Sequence, residues 1–336
     1  MMKEKEIRRR EALDRYQQLV AADCRLFFGD RDQFITVNCP ACHSQTYVPE
    51  FTKSGFEYVT CGVCQTLFAR TRPSLASLKQ FYTQSASTGY WVNEFFKPVA
   101  EARREKIFRP RAQFIVDHFG SSREWLVGDV GAGFGLFLDE LRKLWPASKY
   151  IAIEPSLEQA DICKGSGFAV ECSILEDLKG YAGCFDLLTA FELLEHLYDP
   201  AFFLKAAYRL LKPGGWLLLT TLNGEGFDIQ VLWEKSKSIY PPCHINFFNP
   251  DSLSILLRSA VLVVEELDTP GKLDWDIVEG IILETDVEAG RFWRLLAKKG
   301  SERCKKDLQR WISENKFSSH MRVLARKAGS IENQEQ

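Results

Sequence analysis

The sequence predicts an α/β fold built on a largely parallel sheet. Three observations carry that prediction. Residues 127–135, Val-Gly-Asp-Val-Gly-Ala-Gly-Phe-Gly, close a short apolar run and open directly onto the helical pattern of residues 136–141. A second apolar run, 150–153, ends in Glu154 and Pro155, with Glu154 standing 25 residues after Asp129. Two more apolar runs, 185–191 and 216–221, flank a helical stripe of Phe202, Phe203, Ala206 and Leu210.

The first element decides the most. Glycines at 131, 133 and 135 let the backbone turn sharply and let a ligand lie against it. A dinucleotide fingerprint reads Gly-x-Gly-x-x-Gly. Here the third glycine falls one position early, and position 136 is Leu. The form Asp-x-Gly-x-Gly-x-Gly resembles motif I of the class I methyltransferases that use S-adenosylmethionine. That resemblance implies a Rossmann-like sheet of seven strands in the order 3-2-1-4-5-7-6. It also implies that Gly131, Ala132, Gly133 and Gly135 line the donor's channel, with Asp129 near its amino-acid end. Glu154, beside Pro155 at the tip of strand two, would accept from the ribose hydroxyls. Residues 169–176 resemble strand three and the adenine-edge turn: Ser173 stands where the family often has Asp, and Ile174 and Leu175 would wall the adenine.

The later elements follow in order. Asp199-Pro200 supplies an N-cap and a first-turn proline for a helix. Arg209-Leu-Leu-Lys-Pro-Gly-Gly215 closely resembles the turn before strand five of these enzymes, and residues 244–253 match the usual opening of their next helix. Residues 261–267 read as strand six and 320–327 as the closing antiparallel strand seven. Between them, residues 271–315 form a helical insertion, with helices predicted over 275–299 and 302–315. The resemblance covers residues 100–328.

Composition sets the wider frame. The chain has 336 residues, 46% of them hydrophobic, enough for one large and one small domain. With 43 basic and 45 acidic residues its net charge is −2, so no global charge favours nucleic acid or an anionic membrane. Residues 1–10 are densely charged without an apolar h-region, and no run of about 18 apolar residues exists. A cytoplasmic protein is expected. Residues 1–38 read as a segment with a helix over 3–20, 39–72 as a cysteine module, 73–99 as a helical bridge, and 329–336 as a flexible tail.

Cys39-Pro-Ala-Cys42 and Cys61-Gly-Val-Cys64 are two Cys-x-x-Cys knuckles with 18 residues between them. This is the spacing of a four-cysteine zinc site, in which each tight turn supplies two thiolates. Residues 45–60 alternate around Gly55, as a hairpin does, so a zinc ribbon is predicted with structural Zn²⁺ on Cys39, Cys42, Cys61 and Cys64. Metal ligation replaces the core that so short a module lacks. Cys24, Cys163, Cys172, Cys184, Cys243 and Cys304 lack such spacing and are expected to pack in the core.

The acceptor side is expected at the carboxyl ends of strands four and five. His196 and His244 are the candidate bases, because imidazole titrates near neutral pH. Glu192-x-x-Glu195-His196 with a later His244 resembles the metal-binding pattern of small-RNA terminal methyltransferases, and ubiquinone-pathway O-methyltransferases share a related one. That resemblance implies Mg²⁺ or Mn²⁺ on Glu192, Glu195, His196 and His244, lowering the pKa of an acceptor hydroxyl. A zinc ribbon, an aromatic bridge and this domain together resemble an arrangement found in bacterial sugar, polysaccharide and secondary-metabolite pathways. The expected function is O- or C-methylation of a small-molecule acceptor, a nucleotide sugar among the candidates. The alternatives are a metal-assisted RNA 2′-O-methyltransferase, disfavoured by the lack of a basic surplus, and a non-catalytic S-adenosylmethionine-binding protein. Acceptor identity and oligomeric state stay open at this level.

Overall fold

Apolar spacing sets the first helix, α1 (Arg10–Phe27), which buries Leu13, Tyr16, Val20 and Cys24 along one stripe. In this computed structural model, which describes residues 3–285 and 287–329, α1 begins later than the helix predicted over 3–20. Tertiary contacts override the local pattern there: the Glu4 N–H donates to Asp276 at 2.7 Å, and Lys3 pairs with the same carboxylate at 2.9 Å.

The cysteine module is a hairpin of β1 (Tyr47–Lys53) and β2 (Phe56–Cys61) with a third strand, β3 (Leu67–Ala69). Ser54 and Gly55 both take positive φ, 48° and 80°, which matches the twist of a tight two-residue turn. The bridge holds α2 (Leu75–Gln84) and α3 (Ala86–Tyr90), capped by Ser74 and Ser85. Helical turns continue through residues 91–108 into α4 (Arg109–Phe119), so residue 100 lies inside one helical path.

The main domain alternates β4 (Leu126–Val130), α5 (Leu136–Leu144), β5 (Lys149–Ile153), α6 (Leu157–Gly165), β6 (Ala169–Glu171), β7 (Phe185–Phe191), α7 (Pro200–Leu210) and β8 (Leu211–Leu222). Then come α8 (Phe227–Leu232), β9 (Asn246–Phe247), α9 (Pro250–Ser259), β10 (Leu262–Asp268), the insertion helices α10 (Asp274–Glu284), α11 (Arg291–Lys299) and α12 (Glu302–Glu314), and β11 (His320–Lys327). The seven-stranded sheet runs β6-β5-β4-β7-β8-β11-β10, with β11 antiparallel to both neighbours. This is the predicted order.

Three expectations are corrected. The helix predicted over 275–299 is two helices, because Thr285 is extended and Gly290 takes a φ of +83°. Cys172 and Cys304 are exposed and Cys184 is part-exposed, so only Cys24, Cys163 and Cys243 of that group pack inside. The cysteine module is also not a separate body. Its sheet runs β9-β3-β2-β1, so a strand of the methyltransferase-like half completes it. Cys39, Ala41, Val59 and Phe68 share one apolar core with Leu194, Phe248 and Leu253. Apart from Gly329, the tail expected at 329–336 lies outside the described residues.

Candidate active site

The glycine turn forms because β4 must reverse direction into α5 within five residues. Gly131, Gly133 and Gly135 all take positive φ, 70°, 56° and 69°, a region L side chains rarely adopt. Glu154 closes the turn from the tip of β5. One carboxylate oxygen accepts from the Gly133 N–H at 2.8 Å, the other from Ser156 N–H at 2.9 Å. Burial raises its pKa, opposed by those two donors. Each oxygen keeps a lone pair for a further donor. The Asp129 carboxyl is turned to the neighbouring strand, where it takes the Thr189 hydroxyl at 2.6 Å; burial pushes its pKa up to about 7.

The other donor-side candidates separate by exposure. Ala132 lies in the turn and accepts from Gly135 N–H, while Pro155 is exposed. Ser173 is half-buried and donates to the Ile174 carbonyl, and Ile174 itself is 41% exposed. Leu175 is turned into the core, so of the two proposed wall residues only Ile174 offers a surface. The residues present fit an S-adenosyl donor: a glycine turn at a helix start, a strand-end acid with spare acceptor capacity and an exposed apolar edge. A cleft of about 420 Å³ opens on the outer side of the turn, lined by Phe96, Lys97, Arg104, Phe134, Gly135 and Asp139. Phe96 stacks on Phe134 there, 4.9 Å between ring centroids.

The acceptor-side candidates come from two loops. Leu194–His196 form one turn after β7, and residues 238–245 run beside it. The Ile245 N–H donates to the Glu195 carbonyl at 2.9 Å, and the Asn246 amide donates to the Leu194 and Leu197 carbonyls. Glu195, His196 and His244 each present a ligand-type atom, all within 4.8 Å of one another. His244 Nδ1 lies 2.6 Å from the Ser238 carbonyl, which can only accept, so Nδ1 carries the proton and Nε2 is free. The Cys243 backbone beside His196 favours its charged form, against the larger effect of burial. Burial drives His196 down to about 4 and His244 well below the ordinary imidazole value, so both are neutral at pH 7. Burial and the nearby Glu192 push Glu195 up to about 8; among the described residues its side-chain donor is Thr221, at 2.8 Å.

Glu192 does not join that group. Its carboxylate takes Arg111 at 2.8 Å, Thr220 at 2.6 Å and His320 at 3.3 Å. These partners outweigh burial and hold its pKa well below the carboxylate range. Its φ of +51° is a strained conformation for a side chain of this size. The four-residue set expected from the sequence is therefore a three-residue cluster with an adjoining Arg–Glu–His network.

The four module cysteines also converge. Their sulfurs lie within 4.8 Å of one another, with Cys39–Cys64 and Cys42–Cys61 both at 3.5 Å. Tetrahedral thiolates at about 2.3 Å from zinc stand about 3.8 Å apart, so the four can hold one metal ion. Hydrogen bonds from Cys39 and Thr66 hold Cys64 down to about 4.

A sequence-family model described as a methyltransferase domain matches residues 99–267. The chain belongs to this family. It is a class I, S-adenosylmethionine-dependent methyltransferase. Among curated proteins it is similar to the ubiquinone biosynthesis O-methyltransferase of Xanthomonas oryzae pv. oryzae, 33% identical over 150 residues, covering 41% of this chain and 63% of the relative. The mitochondrial ubiquinone biosynthesis O-methyltransferase of Rattus norvegicus is 35% identical over 154 residues, 41% of this chain and 44% of the relative. The methyltransferase thus spans less than two thirds of these relatives' length. A chain from the solved complex of the Haloferax volcanii Trm112 methyltransferase activator and its methyltransferase partner shares the fold, with a TM-score of 0.50 and 14% identity over 71% of this chain and 96% of that one.

Several residues at the site escaped the sequence reading. Arg103 has a buried Nε with no hydrogen-bond partner among the described residues, and its guanidinium lies 4.9 Å from the Phe96 ring centroid. Burial and the neighbouring Arg111 bring it down to about 10. Arg111, Thr189, Thr220, Thr221 and His320 act through contacts distant in sequence, which no local pattern reveals.

Proposed function

We propose that this methyltransferase moves a methyl group from S-adenosylmethionine to a hydroxyl oxygen of a small-molecule acceptor. The observation that carries the reading is the convergence of Glu195, His196 and His244 at the carboxyl end of β7, beside the glycine turn. A Cβ built on Gly131 would meet the Leu193 side chain at 3.7 Å, so the two loops adjoin. The names of the ubiquinone-pathway relatives support oxygen as the acceptor atom.

The donor supplies an activated methyl on a sulfonium. Gly131, Gly133 and Gly135 would hold its backbone-facing side, Glu154 its ribose, and Ile174 its adenine edge. The Arg103 guanidinium, whose buried Nε has no hydrogen-bond partner among the described residues, suits an anionic group. Glu195, His196 and His244 would hold a divalent cation of the Mg²⁺ or Mn²⁺ class, which supplies Lewis acidity to an acceptor hydroxyl. Both imidazoles are neutral, and His244 has Nδ1 anchored to the Ser238 carbonyl with Nε2 turned away from that bond. That is the form a ligand needs, and also the form in which a base takes the hydroxyl proton. Cys39, Cys42, Cys61 and Cys64 are assigned a structural Zn²⁺.

The test is transfer of labelled methyl to a panel of catechols and other small hydroxylated acceptors, before and after EDTA treatment that leaves the cysteine site loaded. Transfer to oxygen, lost on treatment and restored by Mg²⁺ or Mn²⁺, is expected. Full activity after treatment overturns the cation assignment, and methylation on carbon or nitrogen overturns the acceptor assignment.

A further inference from the structure

The overall charge of −2 conceals a local excess. Residues 291–310, which span α11 and the start of α12, carry eight Lys and Arg against two acids, Glu302 and Asp307, a net charge of +6. The outer face of α11 also carries large apolar side chains. Phe292 is 64% exposed and Leu295 54%. At about 100° per residue, these two share one face with Arg291, Lys298 and Lys299, all exposed. None of those three cations forms an ion pair among the described residues, whereas Arg310 of the next helix pairs with Asp307 at 2.8 Å.

The inner face fixes this orientation. Ala297 is buried, and Trp293 and Leu296 pack against the apolar cluster formed by Trp275, Val278 and Ile282 of α10. Trp293 meets Phe227 of α8 edge-to-face at 4.9 Å. With aromatic and aliphatic anchors facing inward, α11 cannot roll Phe292 and Leu295 into the core. The helix therefore presents two apolar side chains beside three cations that form no ion pair among the described residues, the pattern of a segment that lies in a lipid–water interface. Apolar side chains enter the acyl boundary while lysines and arginines reach the phosphates. A nucleic acid would use the cations but would leave Phe292 and Leu295 without a function.

We propose that the outer face of α11 docks the enzyme on an anionic membrane surface, with Phe292 and Leu295 inserted and Arg291, Lys298 and Lys299 on lipid phosphates. This stands apart from the methyl-transfer reading, since none of these residues touches the donor or acceptor candidates. Docking would hold the insertion, and through Trp293 and Phe227 helix α8, at the interface from which an amphiphilic acceptor could enter.

The experiment is vesicle co-sedimentation of the full chain with bound S-adenosylhomocysteine. One vesicle set is pure phosphatidylcholine, and the other has about one third of it replaced by phosphatidylglycerol. Binding to the anionic set only, weakened in 0.5 M NaCl, is expected. K298E/K299E should weaken it by about tenfold or more, since each cation near an anionic surface is worth about fivefold. F292S/L295S should also release the protein, with cofactor binding and Tm unchanged in both variants. The proposal is overturned by no binding of folded protein to the anionic vesicles, or by equal binding to both sets. It is overturned as well if Phe292 and Leu295 prove dispensable while transfer RNA competes through the same cations, which would mark a nucleic-acid surface. A concentration-dependent dimer that F292S/L295S dissolves would assign the face to a second copy instead.

Discussion

The Tyr58 hydroxyl, in the cysteine module, donates to the backbone carbonyl of His244 at 2.6 Å. Tyr58 is fully buried, and further bonds cross the same boundary in both directions. Ala69 N–H donates to the Ile245 carbonyl at 2.9 Å, and the Asn249 amide donates to the Cys64 carbonyl at 3.0 Å. Buried Arg72 spans the Ala69, Tyr198 and Ile245 carbonyls and the Asn246 side chain. The module is thus built into the wall that carries His244. Tyr58→Phe leaves a buried carbonyl without its donor, costing about 1–3 kcal/mol. It should reduce methyl-transfer kcat while the calorimetric Kd for S-adenosylmethionine stays unchanged, because the donor candidates lie at the ends of β4 and β5, away from this loop. A parallel loss of cofactor affinity would show that the bond supports the whole fold rather than this loop.

Donor binding should depend on Glu154 and Gly133 for different reasons. Glu154→Ala removes a strand-end acceptor and frees the Gly133 and Ser156 N–H groups, so affinity should fall at least about tenfold with the fold retained. Gly133→Val instead forces a β-branched residue to a φ of +56°, although a Cβ there would meet only Gln159 Oε1, at 3.6 Å. Its cost is backbone strain, of order 1–3 kcal/mol, so both Tm and affinity should drop. Calorimetry together with thermal melts separates the two cases, and unchanged affinity in Glu154→Ala would remove that residue from the site.

Most of the sheet was legible because its signals are local. The glycine turn, the acid 25 residues after Asp129, the Asp199-Pro200 cap and the paired knuckles each occupy a few adjacent residues. The site was legible only in part. Glu192 shares a motif with Glu195 and His196, yet a positive φ and the arrival of Arg111 from α4 and His320 from β11 draw its carboxylate away. Leu175 and Ile174 are neighbours in sequence and end on opposite sides of the chain. The recruitment of Asn246–Phe247 into the ribbon sheet joins residues nearly 180 positions apart, beyond any periodicity.

Loss of the Zn²⁺ proposed for the module should therefore reach beyond the module. Cys61→Ser should lower zinc content to near zero by elemental analysis. It should also increase amide exchange in residues 193–199 and 238–249, while the protection of 127–135 is kept. Cys61 and Cys64 share one core with Leu194 and Phe248, which transmits the loosening. If exchange rises only within residues 39–69, the ribbon is an appendage and its contacts to β9 carry no stability.

Asp228 makes a pH-dependent prediction. Its side chain is fully buried, and both carboxyl oxygens lack a partner among the described residues. Burial, with Asp274 nearby, pushes its pKa up to about 8 from an ordinary 3.8. Between those values the folded chain holds a proton that the unfolded chain has released. Stability from this group is therefore fully present below about pH 4 and falls as pH rises, until about pH 8. Asp228→Asn keeps the shape and cannot ionise. Melts taken from pH 5 to 8.5 should show the variant gaining on the wild type as pH rises, with the widest Tm gap at the alkaline end. Parallel curves would mean that Asp228 finds a partner, such as a buried water, that leaves its ionisation ordinary.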